Sequence, residues 1–105
     1  MIDDTIRTLL RAPRCGKDAP SLNDIEDKLT AGYARALAID AERRRLERRL
    51  AETAANMGGR PSEGSEVAEL GRLISAADGD LAELRGLLSC LRARADEART
   101  RANAA

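Results

Sequence analysis

Residues 67–102 read VAELGRLISAADGDLAELRGLLSCLRARADEARTRA, and the spacing of their apolar positions decides the fold. Val67, Leu70, Ile74, Ala77, Leu81, Leu84, Leu88, Leu91, Ala95, Ala98 and Ala102 follow one another by steps of three and four in strict alternation. This is the heptad spacing, in which one stripe of an α-helix stays apolar and turns toward a neighbouring helix. Asp78-Gly79-Asp80 interrupts the composition with weak helix formers, which cost up to about 1 kcal/mol each against alanine. The phase persists through them, so one continuous helix is expected in preference to two. Ser65 stands as its N-cap with Glu66 in the first turn, which gives a helix over 65–103.

A second stripe lies upstream: Leu22, Ile25, Leu29, Gly32, Ala36, Ile39, Arg43, Leu46, Leu50, Thr53 and Met57. Ser21 follows Pro20, and Asp24 stands three residues on, a variant of the capping box that starts a helix. Met57-Gly58-Gly59-Arg60-Pro61 stops it, with glycine for the C-cap and proline beyond. The helix, expected over 21–57, spans roughly 54 Å across residues 22–57, too long for a small globular core. The charges fit an antiparallel pairing with the helix over 65–103. Residues 21–30 carry Asp24, Glu26 and Asp27 and would face Arg92, Arg94, Arg99 and Arg101. The Arg-rich 35–49 would face Asp78, Asp80 and Glu83. Arg43, at a seam position, falls near Asp78 or Asp80, a pairing that would fix register. The expected fold is all-α, a long antiparallel two-helix coiled-coil hairpin occupying 21–105.

Residues 1–20 form a separate region. Ile2, Ile6, Leu9 and Leu10 stand at helical spacing with Asp3 and Asp4 at the start, which predicts a short helix over 2–11. Ala12 to Pro20 holds two prolines and a glycine and reads as a linker. The short helix either docks on the hairpin or stays free until a partner arrives; the sequence leaves both open.

Composition narrows the function. The chain of 105 residues has 18 Lys and Arg against 18 Asp and Glu, no His, no Trp and no Phe, and Tyr33 is its only aromatic residue. Without His there is neither a Ser-His or Cys-His nucleophile pair nor an imidazole metal ligand. No catalytic residue is assigned, and an interaction module is expected in preference to an enzyme. Zero net charge argues against a general nucleic-acid binder. Cys15 and Cys90 form no CxxC pair and cannot make a zinc site alone; two free thiols are expected. Cys90, just off the seam, reads as a small apolar filler. Nothing in the first 20 residues reads as a signal peptide, and no apolar run is long enough to span a bilayer. These features predict a cytoplasmic protein, and the excess of Arg over Lys with abundant Ala fits a GC-rich bacterial genome.

One hairpin leaves apolar surface in water. Leu73 and Leu87 widen the stripe of the second helix, and Tyr33 and Leu37 that of the first. A wider face is what a four-helix bundle needs, so a homodimer of hairpins is the first expectation. A hairpin against a partner's helices comes second, and a monomer closed by its N-terminal helix third. Association would rest on Leu46, Leu50, Leu70, Ile74, Leu81, Leu84 and Leu88.

The dense basic cluster Arg43, Arg44, Arg45, Arg48 and Arg49 has two readings. As a phosphate-contacting face it would make a weak nucleic-acid binder, or a nucleotide second-messenger sensor holding phosphates between hairpins through Arg44, Arg48 or Arg92. As a solvated face it is balanced by Glu42, Glu47 and Glu52. The absence of interleaved aromatics favours the second reading. Asp78, Asp80 and Glu83 lack the ligand pattern of a calcium loop and are expected to pair with arginines, so neither metal nor cofactor is assigned.

Ser21-Leu22-Asn23-Asp24-Ile25-Glu26, followed by an Arg-rich stretch through Ala51, resembles small actinobacterial helical-hairpin proteins of the RsiG-type anti-sigma factor kind. That resemblance implies a coiled-coil hairpin that holds a sigma factor, with cyclic di-GMP as ligand. The family's ligand motif is Glu-x3-Ser-x2-Arg-x3-Gln-x3-Asp on a helix. Ser89 and Arg92 match its centre, whereas Arg85 stands at the Glu position, Asp96 at the Gln and Thr100 at the final Asp. The function expected is a non-catalytic regulatory adaptor or sequestering factor whose partners are itself, another helical protein such as a sigma factor, or both.

Overall fold

The computed structural model describes residues 1–56 and 61–104, without the side chains of 61–63, and is all-helical among them. Helix α1 spans Ile2–Arg11, α2 Leu22–Ala55 and α3 Pro61–Ala104. Each begins where the local chemistry favours it. Asp3 and Asp4 in the first turn of α1 and Arg11 in its last complement the helix dipole. At α2 the Ser21 Oγ accepts the Asp24 N–H at 3.1 Å, the forward half of the capping box.

Helix α3 opens at Pro61, four residues ahead of the expected Ser65. Proline suits a first helical position because its missing N–H would have had no intrahelical partner there. The helix passes through Asp78-Gly79-Asp80 without a break. Helix α2 ends at Ala55, with Asn56 in a turn whose N–H reaches Glu52 O at 3.1 Å. The stop expected at Met57–Arg60 lies outside the described residues.

The chain divides into two compact units, one of Met1–Ala36 with Glu83–Ala105 and one of Leu37–Ala82. In the first unit α1 packs on segments of α2 and α3. Its core is Ile6, Ile25, Leu29, Leu84, Leu88, Leu91 and Ala95, with Ile6, Leu84 and Ala95 wholly buried. The N-terminal helix is thus docked, the alternative its sequence left open. Gly32 makes this packing close. A Cβ there would collide with Leu88 Cδ2 and stand 3.3 Å from Ile6 Cδ1, so a hydrogen at this position lets both side chains settle onto α2.

In the second unit, among the described residues, the helix comes from α2 and α3. Leu70 and Leu81 are buried, while Ile39, Arg43, Leu46, Leu50, Thr53, Val67, Ile74 and Ala77 are half-buried. These are the heptad positions read from the sequence. Their lesser burial follows from having two helical segments around the stripe, against three in the first unit.

Candidate interaction surface

Contacts between α2 and α3 keep one order in each unit. In the first, Arg99 meets Glu26 at 3.8 Å and the Arg92 guanidinium donates to the Tyr33 hydroxyl at 3.4 Å. In the second, Arg43 donates to Asp78 at 2.8 Å and Arg49 to Glu66 at 3.0 Å. As the α2 number rises, the α3 number falls.

The Arg43–Asp78 pair answers the problem posed by an arginine on an apolar seam. Arg43 is half-buried, and its head is also flanked by Glu47 at 3.7 Å and Asp40 at 4.0 Å. The hydrogen bond to Asp78, then the charges of Glu47, Asp78 and Asp40, hold its pKa above the usual arginine value against the opposing effect of burial. The guanidinium is therefore a fixed cation whose partners sit on both helices, which gives the seam a polar register mark. Arg92 is likewise raised, first by its bond to Tyr33, then by the charges of Tyr33 and Asp96.

The seven association residues divide by depth. Leu84 and Leu88 belong to the core of the first unit; Leu70 and Leu81 are buried in the second, where Leu46, Leu50 and Ile74 keep partial exposure. Leu37 and Leu73 are exposed, at 71% and 44%. They do not share one flank. Leu37 stands one turn before Asp40, which pairs with Arg43 and Arg44, whereas Leu73 stands two turns beyond Glu66, which pairs with Arg49 on the other side of the seam. Tyr33 is at the rim of the first unit rather than inside it, and Leu87 is half-buried.

The phosphate candidates are mostly engaged already. Arg44 bonds Asp40 at 3.0 Å, one turn back, and Arg92 is held between Tyr33 and Asp96. Arg48 is exposed and makes no ion pair among the described residues. Arg44 and Arg48 belong to the second unit and Arg92 to the first. Arg45 bonds Glu42 as a solvated face would. Both cysteines are free and exposed; Cys90 lies two residues past Leu88, which turns it off the seam, so it is no core filler. Among the described residues no group of acidic or cysteine side chains is placed to hold a metal, and no helix is long and apolar enough to cross a membrane.

The sequence reading missed the role of Arg94. From α3 its Nη1 donates to Leu10 O and its Nη2 to Ala12 O, both at 2.9 Å. These carbonyls end α1, which has no C-cap glycine; Ala12 is extended ahead of Pro13. A charged fork thus satisfies groups that the helix end leaves orphaned. Arg7 ties the other side of α1 to Glu83, and Arg101 donates to Arg14 O. A helix ending in Ala-Pro signals carbonyls in need of a donor, but the sequence does not say which arginine supplies it.

No family model matches the chain, and neither a curated protein nor a solved structure matches it significantly.

Proposed function

We propose that the chain is a non-catalytic protein–protein interaction module built on one long antiparallel hairpin of α2 and α3, which pairs with a second copy as a four-helix bundle. The observation that carries this reading is the second unit. Among the described residues its apolar stripe is covered by two helical segments, Leu46, Leu50 and Ile74 remain half-buried, and Leu73 is exposed. Burying such a stripe contributes roughly 25 cal/mol per Å² of apolar surface, a strong drive to association for a chain of this size. The descending order of α2–α3 contacts supports the hairpin. The regulatory version, an adaptor or sequestering factor of the anti-sigma kind, rests on the sequence resemblance.

Leu73→Glu tests the reading, because Leu73 lies outside the buried core and its replacement leaves the helices their packing. The variant should keep the far-ultraviolet helical spectrum and lose self-association in sedimentation. Unchanged association would remove the second unit from the interface.

A further inference from the structure

A cavity of about 370 Å³ opens within the first unit where the linker turns back to start α2. Arg14, Cys15 and Ser21 line it from the linker side, with Arg94 and Arg101 from α3 and Ile25 from α2. Its volume lies at the lower end of the roughly 300–1,000 Å³ typical of ligand pockets. Three arginines line it and no acidic residue does. Glu97, which pairs with Arg14 at 3.4 Å and with Arg101, is outside the lining and offsets one of the three charges.

We propose that this cavity binds a small phosphate-bearing anion. A guanidinium has five N–H donors, more than the structural bonds here consume. Arg14, itself 67% exposed, gives one bond to Glu97. Arg94 uses Nη1 and Nη2 on the carbonyls of Leu10, Ala12 and Pro13, and among the described residues its Nε–H makes no hydrogen bond. Arg101 bonds Arg14 O and Glu97. Ser21 accepts the Asp24 N–H through its hydroxyl oxygen, which leaves the hydroxyl proton to donate. The first turn of α2 adds the positive end of its dipole at the rim. Guanidinium forks match the tetrahedral oxygens of phosphate, and an anion bridging Arg14 to Arg94 and Arg101 would also fasten the linker to α3. The site is separate from the apolar surface proposed for association and does not depend on it.

Calorimetric titration of the full chain at about 0.15 M salt tests the assignment, with inorganic phosphate in one arm and glycerol 3-phosphate in the other. Saturable binding in either arm, weakened about tenfold or more by Arg14→Gln and unchanged by Arg44→Gln/Arg48→Gln, is the expected result. The stronger arm tells free phosphate from a phosphate monoester. Saturating phosphate should also slow alkylation of Cys15 and leave Cys90 alone. No saturation in either arm, or equal loss in the two variants, would overturn the proposal. Arg14 is exposed, so its variant keeps the fold, and circular dichroism verifies that.

Discussion

Gly32→Ala and Gly86→Ala make the same chemical change in long helices, yet only the second should raise stability. Both glycines are helical, and replacing glycine by alanine in a helix interior is worth about 1 kcal/mol. A Cβ at Gly86 meets nothing within 4 Å, so that gain is realised in full. At Gly32 the new methyl overlaps Leu88 Cδ2 and stands 3.4 Å from Leu88 Cγ. A flexible side-chain end yields cheaply when it can swing into solvent, but Leu88 is 3% exposed and wholly buried Ile6 crowds the same spot. Overpacking of this kind costs about 1–3 kcal/mol and cancels or exceeds the propensity gain. The two variants should therefore differ by about 1–3 kcal/mol, Gly86→Ala above the parent and Gly32→Ala at or below it. Urea denaturation followed by circular dichroism at one fixed protein concentration measures the difference, since association would otherwise shift the midpoints. Leu88→Val in the Gly32→Ala background should recover part of the loss. If Gly32→Ala stabilises as much as Gly86→Ala, the close packing of α1, α2 and α3 around this glycine is wrong.

Further expectations follow from the same packing. Ile6→Ala removes a wholly buried side chain and should cost about 2–5 kcal/mol. Because ten residues are too few to hold a helix alone, amide exchange across α1 should accelerate before that of α2 and α3. Arg94→Gln strips the Leu10 and Ala12 carbonyls of their charged donor and should lower stability by about 1–3 kcal/mol, with Arg94→Lys restoring only part because it lacks the fork. Leu84→Asp places an unpaired carboxylate at a wholly buried position; a large loss of helicity at 222 nm is expected, and an unaltered spectrum would contradict the core assignment.

The heptad phase carried much of this architecture in the sequence. From Leu22 to Thr53 and from Val67 to Ala98, every position on the two stripes is buried or half-buried. Periodicity reports which side of a helix is shielded, so it locates Leu84 and Leu88 without any knowledge of neighbours. It cannot report how many neighbours there are. Leu46 and Leu84 read alike in sequence, yet one is half-buried and the other wholly so, because in the first unit α1 adds a third helix over the stripe. The Arg43–Asp78 pair was legible because a cation on an apolar stripe demands an acid at a calculable position. The Arg94 clasp and the cavity beside Arg14 were not. Both depend on the path of a proline-containing linker, Ala12 to Pro20, whose backbone turns (Gly16 has φ of +94°) bring α1 back against α3. Local propensity says nothing about where such a linker delivers its ends. The start of α3 at Pro61 shows the same limit at smaller scale: a serine with a following acid marks one acceptable helix start, and a proline upstream offers another.

Whether the stripe of the second unit is satisfied by another copy is the central question, and the mass of the unaltered chain in solution, from light scattering across a wide concentration range, answers it most directly. A mass of twice 11.3 kDa at high concentration, falling toward the single-chain value on dilution or holding throughout, is the predicted result. A mass of 11.3 kDa at every concentration would contradict self-association.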